Sequence, residues 1–352
     1  MFGDRLKLAR AAAGLSLRDL SAKMDHLVSA QALGKYERDE MLPSSTVLIA
    51  LAKALGVSES YLLSTGQLEL ADVAFRKRKL TSARDEAVLR AQVLNRVEKY
   101  LQIEDILATA STEWKPPAGF PHPVSSVEQA ELAADGLRNA WGLGQDPIPR
   151  LAEFLEEQGI KVLSLDGLAD TISGMTARIE RGSGRFVPMI VINKQHPGER
   201  QRFTLAHELG HLVLEPIGDL DIDKAADRFA GAFLVPAPML RAEVGARRHE
   251  IPLGELLSLK KLFLASMQCV LYRLKDLEII NQSLCSAVFV RMSKLGWRMK
   301  EPEPLPPEET QRFKRLVFRS MAEELISESK AAELLDVTVR ELSNMAERGA
   351  AA

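Results

Sequence analysis

The sequence predicts an α+β protein with an all-α N-terminal unit, a helical connector, a mixed unit with a small sheet, and a mostly helical tail. Three observations predict it. Short capped helical segments fill residues 1–66, strand-like runs cluster between residues 160 and 193, and a helix with two histidines one turn apart follows them.

Phe2, Leu6, Leu8 and Ala9 mark a first helix, which Gly14 ends as a C-cap residue. Ser16 caps a second helix carrying Leu17, Leu20 and Met24, and Ser29 caps a third over Ala30 to Glu37. Pro43 and Ser44 open a fourth with Leu48, Leu51 and Leu55, closed by Gly56; a last turn runs from Ser58 to Leu63. From Glu69 to Thr112 no Gly or Pro interrupts a helical pattern marked by Val88, Leu94, Val97, Tyr100, Leu101 and Ile106. Pro116, Pro117, Pro121 and Pro123 then mark a boundary.

Helices are expected over Ser126 to Trp141 and Ile148 to Gln158, then a strand from Ile160 to Leu165. Two more strands, Gly174 to Ile179 and Phe186 to Asn193, flank a hairpin-like Arg181-Gly182-Ser183-Gly184. Helices follow at Glu199–Leu214, Asp221–Leu234, Leu253–Phe263 and Ser266–Leu277, and the tail from Glu301 is Pro/Glu-rich, then helical. The expected units are 1–68, 69–115, 120–281 and 282–352, with no internal repeat that implies a repeat architecture.

At 352 residues the chain can bury two or three cores, and 46% hydrophobic with 27% charged residues is ordinary for a soluble protein. No apolar run is long enough for a membrane span, and the N-terminus lacks a secretory pattern. Cys269 and Cys285 alone cannot build a disulfide framework. These features predict a cytoplasmic protein without a membrane partner. The net charge of −2 averages a basic Arg76–Lys79 run with an acidic stretch at Glu301, Glu303, Glu308 and Glu309. Nucleic-acid binding therefore has to be read from a local element.

His207-Glu208-Leu209-Gly210-His211 is an HExxH motif on an expected helix. Residues four apart share a helix face, so both imidazoles can reach one metal ion, and Glu208 is placed to act as proton acceptor and donor. The bare motif arises by chance on the order of once in a hundred chains of this size. Its flanks sharpen it: Phe203, Leu205, Ala206 and Leu209 bury one side, and Gly210 leaves room for close helix packing. A third ligand is needed, with Asp219, Asp221, Asp223 and Asp227 as candidates. Asp223 is favoured as ligand and Asp227, one turn on, as the group orienting a ligating histidine. Asp219 and Asp221 can equally serve a helix N-terminus. The cofactor expected is one Zn2+ per chain.

Residues 199–240, with the HELGH helix followed by Ala226-Asp227-Arg228-Phe229-Ala230, resemble the ImmA/IrrE family of zinc metallopeptidases. The similarity extends from Ser126 to Asn281 and includes Ser266 to Leu277. It implies a zincin-like α+β domain and a peptidase that cleaves or antagonises a repressor protein. The family usually has Glu where this chain has Asp223; the shorter side chain requires its helix to sit closer to the metal.

Residues 2–66 resemble the Cro/C1-type (XRE) helix-turn-helix family through Gly14 to Leu20, Val28 to Arg38, Pro43 and Leu55-Gly56-Val57. The resemblance implies a third helix in the major groove, with Ala30, Gln31 and Lys35 facing base edges. Ser16, Arg18, Ser29, Arg38 and Ser44 become groups for the phosphate side or the caps that approach it. Arg10 and Glu37 match a structural salt bridge of that family. The turn, Asp25-His26-Leu27, lacks the family's Gly.

Together these readings predict a DNA-binding regulatory zinc metallopeptidase whose partners are an operator duplex and a repressor-type protein. The alternative is a non-catalytic transcriptional regulator, or antitoxin-like repressor, whose zincin-like domain senses a ligand or partner. A homodimer is expected, with the 69–112 helix as its interface. Tyr272 and Arg273 are open to an oxyanion role or to packing, and Ile326 to Leu342 has a helix-turn-helix-like shape with no role assigned.

Overall fold

The computed structural model describes residues 2–63, 83–108, 114–166, 168, 170, 172–181 and 185–348. The basic run Arg76–Lys79, the first part of the expected long helix and the Gly182–Gly184 turn lie outside the described residues.

Five helices form the head: α1 Phe2–Ala12, α2 Leu17–Lys23, α3 Ala30–Glu37, α4 Ser45–Leu55 and α5 Glu59–Leu63. Ser16, Ser29 and Ser44 cap α2, α3 and α4, each hydroxyl accepting from a backbone N–H in the first turn. Such a cap contributes about 1 kcal/mol. Leu6, Leu20, Leu33, Leu51 and Leu62, fully buried, join the helices into one core. Arg10 holds Glu37 through Nε at 2.6 Å and Nη2 at 2.9 Å, and Nη1 donates to the Leu15 carbonyl at 2.8 Å, which pins α1 to α3 and to the turn before α2. The glycine-free turn is made by Asp25 and His26, both left-handed at φ 51 and 57. The Ser21 hydroxyl steadies it by donating to the Val28 carbonyl at 2.6 Å.

A long helix, α6 Ala83–Ile106, precedes the mixed unit. That unit runs β1 His122–Val124, α7 Gln129–Ala140, α8 Leu151–Glu157, β2 Lys161–Leu165, β3 Gly174–Arg181, β4 Arg185–Asn193, α9 Gly198–Val213, β5 Leu214–Pro216, α10 Ile222–Leu234, α11 Ala237–Val244, α12 Leu253–Phe263 and α13 Met267–Asp276. The main sheet has the order β2-β4-β3, with β4 parallel to β2 and antiparallel to β3. Central β4 is apolar throughout Met189–Ile192 because both its faces are covered. Alternate residues divide accordingly: Ile190 and Ile192 enter the core under α7–α10, whereas Met189 and Val191 meet Leu89, Val93, Val97 and Leu101 of α6.

Three elements were not expected. β1 and β5 form a parallel pair joining His122 to Leu214, so the expected helix end at Leu214 becomes a strand. A three-residue strand has no period to read, and its partner lies about ninety residues away in this register. Helix α11 starts within Pro236-Ala237-Pro238, where proline is compatible with a helix's first turn.

The tail comprises α14 Gln282–Lys294, an irregular strap, α15 Arg312–Ala322, α16 Glu328–Leu335 and α17 Val339–Arg348. The strap's acids are not solvated. Buried Glu301 accepts from Lys260 Nζ at 3.1 Å and from the Met267 and Gln268 amides at the start of α13. Buried Glu308 pairs with Arg202 of α9 and accepts from the Ala152 amide at 2.8 Å. Both charges are thus neutralised on leaving water, without which burial would cost several kcal/mol. Beyond the strap, Leu316, Val317, Ala331, Leu334 and Leu342 pack on Tyr100 and Ile103 of α6 and on Leu107 just after it. Helix α6 also meets α1, where Arg5 binds Glu98. Among its described residues, Leu89, Val93, Val97, Tyr100, Leu101 and Ile103 are covered within the chain.

Candidate metal centre and DNA-reading head

Helix α9 lies almost wholly inside the mixed unit, its motif residues His207, Glu208 and His211 all buried. One turn apart, the two imidazoles bring their Nε2 atoms to 3.1 Å. Helix α10 crosses close by, because Gly210 has no side chain: a Cβ there would lie 3.2 Å from the Ala226 Cα. This contact brings Asp223 Oδ1 to 3.1 Å from His211 Nε2 and 3.7 Å from His207 Nε2. Asp227, one turn further along α10, accepts from His207 Nδ1 at 2.7 Å. With that proton on Nδ1, the lone pair of Nε2 faces the other two donors.

The three donor separations fit a tetrahedral ion. Metal–ligand bonds of about 2.0–2.1 Å place neighbouring ligand atoms about 3.3 Å apart, and the separations found here straddle that value. Among the described residues this is the one cluster of His, Cys, Asp and Glu able to hold a metal. The aspartates left open by spacing are thereby separated. Asp223 stands with the histidines, Asp227 behind His207, and Asp221 caps α10 by accepting from the Lys224 amide at 3.3 Å.

Glu208 faces β3. Thr176 donates through Oγ1 to Glu208 Oε2 at 2.8 Å, which fixes that carboxylate. Nothing in the sequence singles out Thr176, one polar residue in a strand. Behind α10, Glu131 of α7 binds Arg228 and Arg273, and these guanidiniums hold its carboxyl below the usual range against the opposing effect of burial. Arg273 also donates to the Val235 carbonyl at 2.9 Å and is buried, so it braces the end of α10. Exposed Tyr272 packs on Phe289. Cys269 is buried and its thiol is pushed up to about 12 by that burial, which keeps it an uncharged packing group.

In the head, Arg18, Gln31, Lys35 and Arg38 are exposed, Ser16 and Ser29 occupy the cap positions, and Ala30 is partly buried. Gln31 and Lys35 share the outward face of α3, one turn apart. Arg38 is engaged by Glu40 at 2.7 Å, so a phosphate contact would have to displace that carboxylate.

The described fold joins a five-helix head to an α+β domain in which α9 and α10 converge on a candidate metal site. Residues 6–62 match the helix-turn-helix family model, and residues 155–275 match that of the IrrE N-terminal-like domain of the Peptidase_M78 family. The chain is thus a fusion of an XRE-type helix-turn-helix domain with an IrrE-like Peptidase_M78 domain. No curated protein matches it. No described helix is long and apolar enough to cross a membrane.

Proposed function

We propose that this protein is a DNA-bound regulatory zinc peptidase that cleaves or antagonises a repressor-type partner protein. The observation that carries the reading is the convergence of His207 Nε2, His211 Nε2 and Asp223 Oδ1, with Glu208 adjoining in sequence. His207, His211 and Asp223 would hold one Zn2+ per chain, leaving a fourth position open, and Asp227 would keep His207 in the ligating tautomer. A zinc ion there supplies Lewis acidity for a carbonyl and brings the pKa of water toward neutrality. Glu208, oriented by Thr176, takes a proton from the attacking water and returns it to the leaving amine. Strand β3 ends the sheet order beside Glu208, which suits an extended peptide segment as substrate.

The head would hold this activity at an operator, with Gln31, Lys35 and Ala30 toward base edges and Ser16, Arg18, Ser29 and Arg38 toward the backbone. The test compares newly formed peptide termini in cells expressing wild type or Glu208→Gln. Wild type should yield fragments that the variant lacks, although both retain about one zinc per chain. Zinc-loaded wild type that shifts DNA but yields no fragment would replace this reading with that of a non-catalytic regulator.

A further inference from the structure

Two helix pairs in this chain share one spacing within each helix, counted from its cap. Ser16 caps α2; four and five residues on, Leu20 and Ser21 are buried, eight on is buried Met24, and nine on Asp25 is left-handed at φ 51. Ser327 caps α16; four and five residues on, Ala331 and Ala332 are buried, eight on Leu335 packs on the same cluster, and nine on Asp336 is left-handed at φ 55.

The second helices agree as well. Ser29 caps α3, and Thr338 caps α17 reciprocally: its amide donates to Glu341 Oε2 at 2.8 Å and its Oγ1 accepts from the Glu341 amide at 3.2 Å. Four residues past each cap stands a buried leucine, Leu33 or Leu342. Two and six residues past the cap the head exposes Gln31 and Lys35; the tail exposes Arg340 and Asn344. The tail's turn is shorter by two residues, which leaves the relation of the paired faces legible but not identical.

We propose that α15–α17 is a second helix-turn-helix unit that reads duplex DNA through α17. Arg340 and Asn344 lie on one outward face, as i and i+4 residues do. Arginine matches guanine's major-groove acceptors and asparagine matches adenine's paired donor and acceptor. The face is polar, with Ser343 and Glu347 beside those two and Val339 as its exposed large apolar residue. A helix that docks in a protein groove instead presents apolar anchors at helical spacing. The two units are neighbours: Val57 and Ser58 of the head line one cleft with Asp336 and Thr338 of the tail. One chain would thus contact two adjacent blocks of sequence.

The experiment selects binding sites for the full-length protein from a pool of random duplexes. Wild type should enrich a motif of two blocks. Arg340→Ala with Asn344→Ala should lower the preference in one block about 10-fold and leave the other intact, whereas Gln31→Ala with Lys35→Ala should do the reverse. Arg340→Lys, which keeps the charge but loses the bidentate fork, should relax a guanine in the tail's block alone. All these residues are exposed, and matched melting temperatures would show that the fold is intact. A tail variant that selects the wild-type motif at wild-type affinity overturns the proposal and leaves α17 to a protein partner. So does a single block that the head variant abolishes.

Discussion

The two helices that meet at the candidate metal centre differ in how they hold their groups. On α9, the side chains of His207 and His211 are each 4% exposed, and on α10 those of Asp223 and Asp227 are 55% and 53% exposed. The imidazoles are fixed by the core around them, whereas the carboxylates depend on one interhelical distance, set where Gly210 meets Ala226. One half of the site is thus positioned by packing on all sides and the other by a single close approach. That approach also accommodates the shorter aspartate: with α10 against α9, Asp223 reaches His211 without the extra methylene of a glutamate.

The largest effects should fall on the buried half. His207→Ala and His211→Ala should each weaken zinc binding by more than about 100-fold, Asp223→Ala by about 100-fold, and Asp227→Ala by about 10-fold, read by competition with a chelating dye. An Asp227→Ala loss as large as that of His207→Ala would break the comparison, because it would make the rim carboxylate as decisive as the core imidazole.

A buried carboxylate elsewhere sharpens the contrast. Burial pushes Glu156, under Tyr100 of α6, up to about 7. Because its folded pKa lies above the unfolded one, the folded state holds the extra proton. Its contribution is complete below about pH 4.5 and is lost as pH rises through about 7, at most about 3 kcal/mol. Denaturant titrations should show Glu156→Gln flattening this slope. An unchanged slope would mean that the site is wetter than its burial indicates.

The smallest effects concern two glycines. Gly210→Ala should destabilise the fold by about 1–3 kcal/mol and weaken zinc binding, since its Cβ meets the backbone of Ala226. Gly231→Ala, in the open on α10, should instead stabilise by about 0.5–1 kcal/mol with zinc affinity unchanged. Equal responses at the two positions would remove the close approach as the feature that sets the carboxylates.

Much of this architecture was readable along the chain. The serine caps of α2, α3 and α4, the strand over Phe186 to Asn193, and the pair His207 and His211 all depend on residues a few positions from each other. Local spacing therefore determines them. Which of four aspartates faces the histidines, that Thr176 holds Glu208, and that Glu301 and Glu308 are buried rather than solvated were decided by tertiary structure. The helix-turn-helix-like shape of Ile326 to Leu342 was readable too, but its position-by-position match to the head was not, since small Ala331 and Ala332 stand in place of Leu20 and Ser21. The physical reason is range. A helical period constrains neighbours on one face, but a carboxylate's partner across 41 or 106 residues is fixed only when the core brings the two segments together.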